Sequence, residues 1–144
     1  MSDPRRLYPG SCHCGRIEVG FETAAEPATL TVRACQCAFC RRHGAMTVSD
    51  PKGRMWVAAG TRGPALAYRF GLGITDFMIC PECGCYVAAL MADGDEVFGI
   101  VNLRMLDEAG EFAAAAAPRD YGAEDETARR QRRRGAWTPV VARA

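Results

Sequence analysis

The sequence predicts an all-β fold, with a short C-terminal helix as the one exception. Three observations predict it: short segments that alternate apolar and polar residues, turn residues at close intervals between them, and eight cysteines gathered in three clusters. Many short strands at this spacing read as a sandwich or curled sheet.

Residues 16–22 set Ile17, Val19 and Phe21 against Arg16, Glu18 and Glu22, the period of two of a half-buried strand. The same pattern recurs at Leu30/Val32/Ala34, Met46/Val48, Met55/Val57, Leu66/Tyr68/Phe70, Phe77/Ile79, Tyr86/Ala88/Leu90 and Val97 to Leu103. Ser49-Asp50-Pro51, Ala59-Gly60, Arg62-Gly63-Pro64, Gly71-Leu72-Gly73 and Asp93-Gly94 supply the turns. After Leu103 the character changes. Glu111–Ala117, Glu-Phe followed by five alanines, fits a helical turn, a strand or a linker equally. From Ala123 to Arg134 the acids Glu124, Asp125 and Glu126 precede five arginines and Gly135, an order that suits a helix macrodipole with a glycine stop. That segment has almost no apolar face, so a solvated helix or an excursion is expected, with Trp137 and Val140/Val141 returning to the core.

The 144 residues fit one domain and are too few for two well-cored ones. The expected division is a single zinc-binding domain over 1–144, with a core at about 7–104 and an extension, 105–144, packing back on it. A composition of 49% hydrophobic and 24% charged residues is that of a globular protein, neither disordered nor membrane-embedded. Eighteen Lys+Arg against 17 Asp+Glu leaves +1, no overall field to gather nucleic acid or anionic lipid. The run Arg129-Arg130-Gln131-Arg132-Arg133-Arg134 reads as a helix end better than as a nucleic-acid patch. The first residues lack the apolar stretch of a secretory signal, and no run reaches the ~18 apolar residues of a membrane span. The expected location is the cytoplasm, where thiols stay reduced and clustered cysteines read as metal binding or redox chemistry before disulfides. Homo-oligomerisation is left open.

The clusters are Cys12-His13-Cys14, Cys35-Gln36-Cys37-Ala38-Phe39-Cys40 and Cys80-Pro81-Glu82-Cys83-Gly84-Cys85. In extended chain, residues i and i+2 project to one face, so Cys12 with Cys14, and Cys35 with Cys37, can each offer two thiolates to one ion. Cys37/Cys40 and Cys80/Cys83 have knuckle spacing, which wraps a loop around tetrahedral zinc. Cys12, Cys14, Cys80 and Cys83 make a closed four-ligand set. Cys35, Cys37 and Cys40 then leave one coordination position for water or substrate, as catalytic zinc sites do. Cys85 is spare: a packing residue, a substitute ligand or a reactive thiol. Arg41, Arg42 and His43 follow Cys40 directly, which puts cations beside the open set for an anionic thiol or carboxylate; the bland reading makes both arginines surface residues after a knuckle. His43 is the better acid–base candidate, with a backbone-bonded turn histidine as its ordinary alternative. His13 faces away from its flanking cysteines.

These residues resemble the glutathione-dependent formaldehyde-activating enzyme family, which shares the Mss4-like fold with centromere protein V. The matching segments are Gly10-Ser11-Cys12-His13-Cys14-Gly15, Cys35-Gln36-Cys37-Ala38-Phe39-Cys40-Arg41-Arg42 and Phe77-Met78-Ile79-Cys80-Pro81-Glu82-Cys83-Gly84, within roughly residues 7 to 104. The resemblance implies a zinc-bound sandwich of short antiparallel strands and a carbon–sulfur lyase that joins formaldehyde to glutathione as S-hydroxymethylglutathione. It also implies a structural zinc on Cys12, Cys14, Cys80 and Cys83 and a labile one on Cys35, Cys37 and Cys40 near glutathione. The chain departs from the pattern at Cys85, where a small hydroxyl residue is usual, and in its arginine-rich 118–135 segment, where a histidine-containing stretch is usual. The competing reading is a non-catalytic, zinc-stabilised protein-binding module. A thiol-redox protein built on Cys80 and Cys83 leaves both Cys-x-Cys pairs unexplained.

Overall fold

A computed structural model of the chain describes residues 3–143. Met1, Ser2 and Ala144, which the single-domain expectation includes, lie outside the described residues.

Two sheets dominate. The smaller has the antiparallel order β1-β2-β5, from β1 (Arg6–Ser11), β2 (Glu18–Thr23) and β5 (Arg54–Ala58). The larger comprises β3 (Arg33–Cys35), β4 (Thr47–Val48), β6 (Leu66–Tyr68), β7 (Asp76–Ile79), β8 (Tyr86–Asp93), β9 (Glu96–Asn102) and β10 (Ala117–Arg119), in the order β10-β3-β4-β9-β8-β7-β6. A last strand, β11 (Thr138–Pro139), pairs with β9. The β10–β3 pair is parallel and the other named pairs are antiparallel. Two helices complete the named elements, α1 (Ala38–His43) and α2 (Glu126–Ala136).

The period-two reading of residues 16–22 fits β2, whose Val19 and Phe21 face the core opposite Val57 and Met55 of β5. Both sheets contribute to one core: Ile17, Val19, Phe21 and Met55 pack with Val48, Val87, Ala88 and Val101, all at 0% exposure. Burying each of the larger of these side chains stabilises by about 1.5–3 kcal/mol. In β8 the run Tyr86–Ala89 is buried throughout, because this strand lies between β7 and β9 and is covered on both faces.

Strand β1 escapes pattern reading because Pro9 and Gly10 interrupt its alternation. Proline is tolerated here because β1 is an edge strand. Gly10 is required by contact: the chain at Met105 and Leu106 crosses so closely that a Cβ would collide with the Met105 carbonyl oxygen. Residues 30–35 pair over a shorter span than their alternation suggests, since a 3₁₀ turn at Pro27–Thr29 precedes and only Arg33–Cys35 joins the sheet. Glu111–Ala117 is neither helix nor strand as a whole; Phe112 packs on Tyr8 at 5.4 Å between ring centroids, and pairing resumes at β10.

The C-terminal helix forms, but its stop is not the expected one, and one of its arginines is buried. Gly135 lies inside α2, which Asp125 caps by accepting from the Ala128 N–H at 2.8 Å. The helix ends where Trp137 turns extended, its N–H donating to the Arg133 carbonyl at 2.7 Å. Much of the helix is solvated, with Glu126, Gln131 and Arg134 exposed, and Trp137 returns to the core at 4% exposure as expected; the departure is Arg133, buried at 7%. Arginine stems take the part of an apolar face, and the heads of Arg130 and Arg134 bond to the strands beneath. Arg134 pairs with Asp93 and Glu96, and Arg130 donates to the Ala92 carbonyl. Val140 then bridges to Met55, so the final segment touches both sheets. No helix among the described residues is long and apolar enough to cross a membrane.

Candidate metal centres and the adjoining cavity

The turn between β1 and β2 carries Cys12 and Cys14, and the turn between β7 and β8 carries Cys80 and Cys83. Backbone bonds shape both turns: Cys12 N–H to the Ile17 carbonyl at 2.9 Å, and Cys80 N–H to the Cys85 carbonyl at 3.0 Å. Gly84 closes the second at φ +79°, a conformation that favours glycine. The four Sγ atoms lie within 4.8 Å of one another, with Cys12–Cys14 at 3.7 Å and Cys14–Cys80 at 3.6 Å. A tetrahedron with Zn–S bonds of about 2.3 Å has S···S edges of about 3.8 Å, so the donor set fits a closed zinc site. Burial pushes the Cys83 thiol up, but backbone N–H groups at Cys85 and Cys14 and neighbouring thiols outweigh it and hold the group down to about 5. Cys14 is pushed up to about 12, because burial and the thiols of Cys80, Cys12 and Cys83 together outweigh the opposing backbone bond. Cys85 packs beside it, its thiol pushed up by burial, and is not one of the four convergent donors.

The second centre is built differently. Cys35 ends β3, Cys37 is the N-cap of α1 with its Sγ accepting from the Cys40 N–H at 3.4 Å, and Cys40 sits buried in the first turn. The three Sγ atoms are again within 4.8 Å of one another, and no fourth Cys, His, Asp or Glu joins them among the described residues. The Cys40 thiol donates toward Cys35 and, against burial, holds the Cys35 thiol down to about 5; Cys40 is raised in turn. This donor set fits zinc with a position left for an outside ligand.

Cys35 and Cys40 form the wall between two depressions. On the outer side, an open cleft is lined by Gln36, Arg41, Gly44, Met46 and Ala116. On the inner side lies a cavity of about 150 Å³, bordered by Cys35, Cys37 and Cys40, by the apolar Phe70, Phe77, Tyr86 and Trp137, and by Arg33, Arg129, Arg132 and Arg133. Arg133 Nη1 donates to Thr75 Oγ1 at 2.6 Å, and its guanidinium lies 4.1 Å from the Trp137 ring centroid. Burial, with Arg132 and Arg129 adding to it, lowers Arg133 to about 10. Burial lowers Arg33 as well, and it raises the Tyr86 hydroxyl well above the usual phenol value. Tyr86 Oη and Arg133 Nε are buried without a hydrogen-bond partner.

The structure brings together all seven cysteines read from the spacing, in the two predicted groups. It places the flanking cations elsewhere than beside the inner cavity: Arg41 is exposed on the outer cleft, and Arg42 is exposed with Nη1 donating back to the Ala38 carbonyl at 3.2 Å. His43 is exposed, packs against Phe39 at 4.5 Å between ring centroids with the rings tilted by 45°, and borders neither depression. The inner arginines were hidden from sequence reasoning, since Arg129, Arg132 and Arg133 looked like a solvated charge run. The available signal was their spacing: i, i+3 and i+4 put them on one helical face, followed by a tryptophan.

A family model described as "Glutathione-dependent formaldehyde-activating enzyme" matches residues 7–120. Among solved structures, a crystal structure of a Rhodobacter sphaeroides protein is similar, with 31% identity and a TM-score of 0.52 over 69% of this chain and 87% of that one. No curated protein matches. With both cysteine clusters inside the matched segment and most of the chain covered by it, this protein belongs to the glutathione-dependent formaldehyde-activating enzyme family.

Proposed function

We propose that this chain is a single Mss4-like domain, cytoplasmic, with two zinc ions, acting as a carbon–sulfur lyase that joins and splits glutathione and formaldehyde. The observation that carries the reading is the three-cysteine centre with no fourth protein ligand among the described residues, open to a depression on each side. Cys12, Cys14, Cys80 and Cys83 hold the structural ion and tie the two turns together. Cys35, Cys37 and Cys40 hold the labile one.

Zinc at the open centre would supply Lewis acidity, which lowers the pKa of a substrate thiol. The rest falls to the chain. Arg41 lines the outer cleft, with Arg42 beside it in α1, and they would take the carboxylates of the tripeptide. His43, next along the helix, borders neither depression, so the proton passes between the thiol and the carbonyl oxygen through solvent at the open cleft. In the joining direction a bond forms between sulfur and the carbonyl carbon, the carbonyl π pair moves to oxygen, and the thiol proton ends there. The reverse step restores thiol and aldehyde.

Thiols add to formaldehyde unaided, so the test must resolve catalysis above that background. Exchange NMR of glutathione, formaldehyde and their adduct should show faster interconversion with the zinc-loaded protein, and background rates with a folded Cys37→Ser variant. Equal acceleration by both proteins would remove the three-cysteine centre from the reaction. A zinc-stabilised binding module is favoured instead by the exposed Leu66 and Tyr68 on edge strand β6 with nearby Leu72. It predicts no acceleration by either protein.

A further inference from the structure

The inner cavity has more positive charge than its surroundings use. Four guanidinium groups border it, and the nearby carboxylates are Asp120 at its rim and Glu124, which Arg129 and Arg132 share. Arg33 and Arg133 have no carboxylate partner among the described residues; Arg33 bonds to Ser49 and Arg133 to Thr75. Counting three thiolates on a divalent ion as one further negative charge still leaves a positive charge uncompensated. Arg133 Nε and Tyr86 Oη are also unpartnered, in residues that are 7% and 2% exposed. Buried donors left unsatisfied beside a cavity are costly, and an anionic acceptor there would relieve both charge and hydrogen bonding.

Size limits the occupant. At about 150 Å³ the cavity is well below the roughly 300–1,000 Å³ of pockets that enclose a drug-sized ligand. That space suits a two- or three-carbon acid better than a whole tripeptide, and formaldehyde, with only a carbonyl oxygen to accept a hydrogen bond, brings no charge to pair with arginine.

Resting on the thiol-adduct reading above, we propose that the inner cavity is a carboxylate subsite, and that a two- or three-carbon oxo acid is a further carbonyl partner at the same centre besides formaldehyde. The thiol approaches from the outer cleft. The oxo acid lies inside with its carboxylate at Arg133 and Arg33 and its carbonyl carbon toward Cys35, Cys37 and Cys40. Addition forms the carbon–sulfur bond at that carbon, the carbonyl π pair moves to oxygen, and the thiol proton ends on that oxygen as a hydroxyl. No oxidant or reductant is needed.

The test separates this subsite from the thiol chemistry by using unreactive probes on zinc-loaded protein. Glycolate and its neutral counterpart ethylene glycol are titrated by calorimetry, with and without saturating S-methylglutathione. Glycolate should bind, ethylene glycol should not, and S-methylglutathione should leave glycolate binding unchanged. Tyr86→Phe keeps the buried ring and removes only the unpartnered hydroxyl, while Arg133→Met removes the cation; each should weaken glycolate about tenfold or more. Glycolate binding no better than ethylene glycol, or unchanged in a folded Tyr86→Phe protein, overturns the subsite. Displacement of glycolate by S-methylglutathione assigns the arginines to a carboxylate of the thiol and overturns the oxo-acid partner. The glutathione–formaldehyde exchange assay fails or succeeds independently of all three results.

Discussion

Replacing one cysteine in each centre should separate their roles by thermal stability. Cys14 and Cys80 are 66 residues apart in sequence, yet their sulfurs are 3.6 Å apart. A cross-link over a loop of that length removes unfolded-chain entropy equivalent to about 4 kcal/mol. Cys37 and Cys40 are three residues apart, and the whole second cluster lies within one strand end and one helical turn. The same relation gives about 2 kcal/mol for so short a loop. Against a typical total of about 5–15 kcal/mol, the first loss is severe and the second tolerable. At roughly 3–4 °C per kcal/mol for a chain of this size, Cys80→Ser should lower Tm by at least about 12 °C and Cys37→Ser by about 6–8 °C. Cys80 is also fully buried whereas Cys37 is half-exposed, so strain and desolvation widen the gap. The assay is circular dichroism melting of zinc-loaded variants. Equal losses, or a larger one for Cys37→Ser, would refute the division into a structural and a labile centre.

Gly10→Ala should destabilise by about 1–3 kcal/mol in urea titration, since its Cβ meets the Met105 carbonyl rather than a movable side chain. Asp50→Ala should cost about 1–3 kcal/mol by the same measurement, because its carboxylate accepts from the buried Thr23 hydroxyl at 2.6 Å. Arg134, with Arg130, holds the half-buried Asp93 carboxyl below its usual range. Its depressed folded value means that this contribution is present above the ordinary aspartate pKa and fades as pH falls through the folded value. Asp93→Asn should therefore lower Tm slightly at neutral pH and low salt, and the difference should close in acid or at high ionic strength.

The cysteine arithmetic was the most legible part of the chain, because metal ligands obey local spacing rules and the two groups needed only to be sorted. Strand β2 was legible because apolar and polar residues alternate along it, and β5, β7 and β9 because their short apolar runs are bounded by turn residues. Strand β1 was hidden by Pro9 and Gly10, whose places are explained only by an edge position and a crossing chain at Met105. The inner cavity was least legible. Arg33 comes from β3 and Arg133 from α2, a hundred residues later in the chain, and burial turns what composition counts as surface charge into site chemistry. The residues beside Cys40 stand out by adjacency, yet neither Arg42 nor His43 borders the inner cavity: Arg42 bonds back to the Ala38 carbonyl, and His43 packs against Phe39 and Tyr86.

The central claim, two metal centres with different duties, is tested most directly by zinc analysis before and after mild chelation, with circular dichroism on both samples. Two zinc ions per chain are predicted, one of them removable while the β-sheet signal persists. One tightly held zinc, with Cys35, Cys37 and Cys40 still free after zinc is resupplied, would contradict the account.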